Sequence, residues 1–277
     1  EITWKEYHDN VSYLALGLSK KGFKLGDVIG LIGDNKPSWL FFEIAAQAVG
    51  GMSLGIYRDT LDEEVGYLIN AAKVNFAYAE DQEQVDKLLS IKRAKNNNIT
   101  IFYEDSRGLK ELNDPHIIDM LDLIKEGKAI AAKNPNKYNQ LIDKISSDQN
   151  AILCTTSGTT SNPKLAMLPG GKFIEHVVRY LNVDPKTIDD EYVSVLPFPW
   201  IMEQTYAVGF NIVGGMKVNF PERPDTAMED MREIGPTFML GAPRLWEQIA
   251  ADMRSRILDA PKITQWLFNV MVERGLK

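Results

Sequence analysis

The chain has 277 residues, 44% of them hydrophobic and 25% charged, which is enough apolar material for a real core under a soluble surface. The formal net charge of −7 argues against a nucleic-acid surface, which needs a basic face, although a local cluster of donors would still take a small anion. Cys154 is the only cysteine, so an internal disulfide is excluded and a cytoplasmic location is expected; His8, His116 and His176 lack metal-ligand spacing.

In chain order, the short apolar run Val28–Ile32 predicts a buried strand, and Pro37–Val49 has helical spacing, with Trp39, Phe42, Ala45, Ala46 and Val49 on one face. Gly50-Gly51 ends that helix, and Met52–Gly55 predicts a second strand. Thr60-Leu61-Asp62-Glu63 reads as a capping box opening a helix to about Ala72. Val74–Tyr78 and Ile99–Tyr103 are expected strands, with a helix over Asp81–Ile91 between them. The more polar Glu104–Asn150 stretch is expected to form surface helices and loops. Alternation resumes with strands at Ala151–Cys154 and Leu165–Leu168, a helix from Lys172 to Leu181, a strand at Tyr192–Leu196 and a helix over Met202–Val213. Strands at Lys217–Phe220 and Thr237–Leu240 alternate with helices at Thr226–Ile234 and Pro243–Ile257, and Ile263–Glu273 is helical. The fold class is therefore α/β: mostly parallel sheets covered by helices. Two lobes are expected, residues 1–147 with the polar connecting segment and residues 148–277 with the loop described next.

Between two expected strands, Thr155-Thr156-Ser157-Gly158-Thr159-Thr160-Ser161-Asn162-Pro163-Lys164 crowds hydroxyls in front of one lysine. Hydroxyls and backbone amides can wrap phosphate oxygens without net charge, and Lys164 adds a compact cation. Such a set suits a triphosphate, gripping its oxygens and stabilising charge on leaving pyrophosphate. A polar surface turn stands beside this as the plain alternative. A Walker A loop fails at two positions, because Pro163 stands where its second glycine belongs and Leu165 follows the lysine.

The stretch Thr156–Lys164 resembles the signature loop T-S-G-T-T-G-x-P-K-G of adenylate-forming enzymes. Further stretches resemble long-chain acyl-CoA synthetases: Trp4-Lys5-Glu6-Tyr7, Gly26-Asp27-Val28-Ile29, Asp34-Asn35-Lys36-Pro37-Ser38-Trp39 and Ala45–Gly50. Leu196-Pro197-Phe198-Pro199-Trp200-Ile201-Met202-Glu203 is similar to that family's L-P-L-x-H-x-x-E, and Gly235-Pro236-Thr237 with Ala242-Pro243-Arg244-Leu245-Trp246-Glu247 to its R-P-T…V-P-R-x-x-E.

The resemblance implies the two lobes of an adenylate-forming N-terminal domain and a two-step reaction. A fatty carboxylate attacks the α-phosphate of Mg-ATP, and coenzyme A thiol then displaces AMP. It implies that Thr156, Ser157, Gly158, Thr159, Thr160, Ser161 and Lys164 hold the nucleotide, that Thr156 lies beside Mg²⁺, and that Lys164 and Glu203 are catalytic. ATP, fatty acid and coenzyme A are the implied partners, with peripheral membrane contact and a homodimer left open. Trp200 replaces the family's histidine and reads either as part of an acyl site or as a packed aromatic. Glu203 reads either as a site carboxylate or as an acid favoured at a helix start. Arg244 is expected to hold a structural carboxylate, His176 to be an ordinary histidine and Cys154 a small buried hydrophobe.

Ser161 and Leu165 stand where the family has glycine, which raises a second reading: a homologue that binds nucleotide or acyl-adenylate through a degenerate loop. A ligase for a different acid is the third. Glu1 in place of Met, and a helical pattern still running at Gly275-Leu276-Lys277, lead to the expectation of an incomplete N-terminal part without the family's C-terminal domain, inactive alone.

Overall fold

The computed structural model describes residues 1–95, 98–109, 112, 114–156 and 163–275. They form two compact units, Glu1–Thr237 and Phe238–Lys277.

The first unit is built on a seven-stranded sheet with β1 (Val28–Ile32) at its middle. The others are β2 (Met52–Ile56), β3 (Phe76–Ala79), β4 (Thr100–Tyr103), β5 (Ile117–Asp119), β6 (Asn150–Thr156) and β7 (Lys164–Pro169). Their order is β5-β4-β3-β1-β2-β6-β7. Every neighbouring pair is parallel except β6–β7, an antiparallel hairpin at one edge. The expected boundary at 147/148 does not divide this sheet: β6 lies beyond it and pairs with β2, Ser53 opposite Ile152.

All five residues of β1 are buried, as a strand covered on both faces requires. Val28 and Ile32 face the helices α3 (Asp62–Ala71) and α4 (Gln82–Lys95), packing with Val65, Leu68, Val85 and Leu88. The opposite face carries aromatics from α2 (Pro37–Ala48), where Phe42 lies 4.8 Å from Tyr78 and 5.6 Å from Phe102, centroid to centroid. Outside α2 lie α1 (Trp4–Lys20) and α5 (Met120–Lys133). A methyl on Gly127 of α5 would come within 1.8 Å of the Tyr13 carbonyl oxygen in α1, so this contact requires glycine.

Three expectations are corrected. The capping box belongs to α1, where Thr3 and Glu6 exchange bonds of 2.8 and 3.2 Å. At α3 the cap is Leu61 without a side-chain bond, because the Thr60 amide closes a turn onto the Tyr57 carbonyl at 3.0 Å and the helix starts one residue later. Its first turn carries Asp62, Glu63 and Glu64, which suit the helix dipole. Within the polar segment, Ile117–Asp119 is a strand at the sheet edge. Thr237–Leu240 forms no strand of regular length; Thr237 donates its amide to the Glu191 carbonyl at 3.0 Å.

α6 (Lys137–Ile142) precedes the hairpin; after it come α7 (Gly170–Val183) and a two-stranded parallel sheet of β8 (Glu191–Val193) and β9 (Lys217–Asn219). The expected Met202–Val213 helix is a composite. α8 (Ile201–Glu203) runs into a π-helical stretch, Gln204–Phe210, and then α9 (Asn211–Gly214). α10 (Ala227–Ile234) completes the first unit; α11 (Pro243–Leu258) and α12 (Lys262–Gly275) make up the second. No helix among the described residues is long and apolar enough to cross a membrane.

Candidate functional site

In an open parallel sheet, ligands bind outside the carboxyl ends of the strands, by preference where strand order reverses. Here that reversal falls between β1 and β3, and ion pairs fill it. Arg58 contacts Asp34 and lies 3.2 Å from Asp81, and Lys36 lies 2.6 Å from Glu80. The other opening at the same end of the sheet is at β6, where Thr156, Lys164 and the segment around Phe198 and Pro199 lie.

β6 ends at Thr156 and β7 begins at Lys164, directly opposite, with the Thr156 hydroxyl donating to the Lys164 carbonyl at 3.3 Å. Both side chains are exposed at the mouth of the hairpin. The Tyr67 hydroxyl of α3 ties down the far side, donating to the Pro163 carbonyl at 3.1 Å. Ser157, Gly158, Thr159, Thr160 and Ser161 lie outside the described residues. Leu165 turns from the mouth onto the cluster beneath α3 and α4.

The segment Leu196–Trp200 packs beside the same strand. Phe198 and Pro199 share a narrow cleft with Leu153 and Cys154, two residues upstream of Thr156. Pro199 rests on Gly55, where any side chain would come within 2.8 Å of its Cα. Phe198 stacks on Trp39 at 5.6 Å. Asn35, in the loop after β1, reaches across: its Nδ2 donates to the Leu196 carbonyl at 2.6 Å and to Ser194 Oγ at 2.7 Å, and its Oδ1 accepts from the Phe198 amide at 3.2 Å. Gln204 Nε2 donates to the Phe198 carbonyl at 2.9 Å and to the buried Glu43 at 3.2 Å. Trp200, half-buried, closes the turn with its amide on the Pro197 carbonyl at 2.9 Å.

Glu203 is fully buried. Its carboxyl accepts from Tyr192 at 2.6 Å and from Ser194 at 2.5 Å, so it faces β8 and not the hairpin mouth. Burial raises its pKa to about 7, against the two hydroxyls that favour the charged form. Burial likewise pushes the Cys154 thiol up to about 11, which makes it a packed hydrophobe and no nucleophile. His176 meets Tyr180 edge to face on α7 at 6.3 Å. Arg244 is exposed in the first turn of α11.

The structure therefore brings Thr156, Lys164 and the Trp200 turn to one end of β6, and sets Glu203 behind them as a support. Asn35, Gln204, Glu43 and Gly55 were not singled out from sequence. Asn35 lay inside a quoted family-like stretch, but nothing local marks a partner about 160 residues away. A mostly apolar cavity of about 230 Å³ lies at the other end of β6 beside Gly51, Asn150 and Gly171, with none of the expected site residues.

No group of three or more His, Cys, Asp or Glu side chains that could hold a metal ion occurs among the described residues. The Thr156 hydroxyl is exposed and keeps an oxygen lone pair, which fits one ligand of a cation whose other ligands are phosphate oxygens and water.

Residues 1–268 match the AMP-binding enzyme family. The chain belongs to that family. This AMP-binding chain is 28% identical, over its whole length, to long-chain-fatty-acid–CoA ligase ACSBG2 of Rattus norvegicus, of which it covers 42%. It is 27% identical, over 99% of its length, to long-chain-fatty-acid–CoA ligase ACSBG1 of Homo sapiens, covering 39% of that protein. The chain thus spans about two fifths of the curated relatives it matches. Among solved structures it resembles the A-PCP didomain of carboxylic acid reductase from Segniliparus rugosus in complex with AMP, with a TM-score of 0.71 at 18% identity, over 92% of this chain and 38% of that one. The anthranilate CoA ligase AuaEII in complex with anthranoyl-AMP gives 0.71 at 16%, over 84% and 43%. These likenesses support the same α/β fold.

Proposed function

We propose that the chain belongs to an ATP-dependent long-chain fatty acid–CoA ligase, and that it contributes the phosphate-gripping hairpin and one wall of the acid site. The observation that carries this reading is the convergence of two segments on one strand end. Thr156 and Lys164, which bracket the hydroxyl-rich stretch in sequence, pair at the hairpin mouth, and the Leu196–Trp200 turn packs two residues upstream. Transfer of the adenylyl group to a carboxylate, with pyrophosphate leaving from the α-phosphorus, needs the triphosphate and the acid held in line and the charge on the leaving pyrophosphate stabilised.

In this reading Lys164 neutralises charge on the phosphates, and the hydroxyls and amides from Thr156 to Ser161 wrap their oxygens. Thr156 would offer Mg²⁺ one oxygen, and the ion when bound would neutralise phosphate charge that otherwise repels the incoming carboxylate. Trp200 borders the acid. Glu203 acts by holding β8 and the turn in place. Coenzyme A is the second substrate. The matching curated relatives favour a long-chain acid, and the lone buried cysteine agrees with a cytoplasmic setting. Packing of the half-buried Leu165 against the core cluster favours a tolerated substitution over a degenerate loop, which is the competing reading.

Acid-dependent ATP–pyrophosphate exchange by the full-length protein tests the proposal. Exchange with palmitate is expected, lowered about 100-fold or more by Lys164→Ala, as for loss of an electrostatic stabiliser. A preference for benzoate or acetate would replace the long-chain reading with a ligase for another acid. ATP binding without exchange for any acid would favour the nucleotide-binding homologue.

A further inference from the structure

We infer that Asn35 is a positioning residue: from the loop after β1 it holds the Leu196–Trp200 turn, and through it the placement of Trp200 against the acid. This rests on the ligase reading for the identity of the ligand, but the clamp itself is geometric.

One side chain makes three bonds across about 160 residues of sequence, and each has a different role. Nδ2 has two hydrogens and two acceptors, the Leu196 carbonyl and Ser194 Oγ. Oδ1 faces the Phe198 amide. The orientation of the amide is fixed by this set, since a carbonyl and an amide N–H lie on opposite sides of it. Because Ser194 Oγ accepts from Asn35, its own proton is directed to Glu203. Asn35, Ser194 and Glu203 thus form a one-way chain whose members polarise one another.

The remaining contacts close the clamp. Gln204 takes the Phe198 carbonyl, so both backbone polar groups of Phe198 are held by side chains, one from each side. Gly55 supports Pro199 from below. The turn carries two prolines, which fix its own dihedrals, so its remaining freedom is to move as a piece. Asn35 and Gln204 remove that freedom. Trp200 follows one residue after Pro199, half-buried. The nucleotide hairpin is anchored separately, by Tyr67 on Pro163 and by its own cross-strand bonds. A fault at Asn35 should therefore fall on the acid and spare ATP.

Asn35→Asp keeps the shape and the acceptor for Phe198 but sets a carboxylate oxygen against the Leu196 carbonyl. It also offers the Ser194 proton a competing acceptor. The test uses full-length protein labelled with 5-fluorotryptophan, with the Trp200 resonance assigned by Trp200→Phe, together with exchange kinetics. In Asn35→Asp the Trp200 resonance should shift or broaden while those of Trp4, Trp246 and Trp266 stay put, and KM for the acid should rise about tenfold with KM for ATP within about twofold. Gly55→Ala pushes Pro199 from the other side and should disturb the same resonance, which covers the case in which Asn35→Asp does not fold.

An unchanged Trp200 resonance in either folded variant would overturn the clamp. So would a KM for ATP that rises as much as that for the acid. If wild-type protein exchanges with no acid, the ligase reading has failed, and the fluorine spectra alone still decide the clamp.

Discussion

At the scale of single residues, Glu203 makes the sharpest statement about solution behaviour. A carboxyl with an ordinary pKa near 4.5 is held at about 7 in the fold by burial. Between those values the folded chain keeps a proton that the unfolded chain has lost, so stability falls as pH rises from about 4.5 to about 7 and then levels off. The shift corresponds to about 3 kcal/mol. Glu43, fully buried and also raised by burial, adds in the same direction. Glu203→Gln removes only the first contribution, since its amide stays neutral throughout. Urea unfolding of wild type and Glu203→Gln at pH 5 and pH 8 separates them: the stability difference should move by 2–3 kcal/mol in favour of the variant at the higher pH, roughly. The same difference at both pH values would mean that the carboxyl is charged in the fold. This residue also illustrates how a motif can be legible and its role not. L-P-x-x-x-x-x-E placed Glu203 beside the site, but only the fold reveals that Tyr192 and Ser194 take both its oxygens.

At the scale of elements, the strands and helices of the sheet followed their apolar patterns closely, because a strand buried on both faces must be apolar along its length. The departures have two causes, pairing with segments far along the chain and local turns that compete with an expected cap. The short β5 pairs with β4, which no local pattern announces. The start of α3 is set by a turn onto Tyr57 that competes with the expected cap. Leu165 shows what such contacts do to a motif. It stands where relatives of the loop have glycine, and its side chain is packed on the cluster under α3 and α4. Leu165→Gly should therefore cost about 2–4 kcal/mol, through lost burial and a freed strand backbone. It should leave nucleotide affinity within about threefold, because Lys164 faces the opposite side of β7. Urea denaturation and ATP titration of the one variant read both quantities. A gain in stability, or a tenfold change in ATP affinity, would show that the side chain belongs to the loop and not to the core.

At the scale of the whole molecule, apolar burial is concentrated in one unit. The buried hydrophobic residues run from Val11 to Met231, all within Glu1–Thr237. The helices α11 and α12 have the periodicity of amphipathic helices and were readily legible as such, but they bury no residue. Ile263, Trp266 and Met271 are 74%, 63% and 71% exposed. Pattern reveals that a helix has an apolar side; it does not reveal what, if anything, lies against it. Since conformational entropy is offset mainly by burial, the second unit contributes little to the cooperative transition. A chain ending at Thr237 should melt within about 3 °C of the 277-residue chain, a shift below 1 kcal/mol for a domain of this size. It should also scatter less light on storage, because the exposed Ile263, Trp266 and Met271 are gone. Calorimetry and static light scattering on the two chains side by side measure this. A loss of cooperativity on shortening would mean that the helices after Thr237 help to hold the sheet together, and that their apolar side is buried in solution.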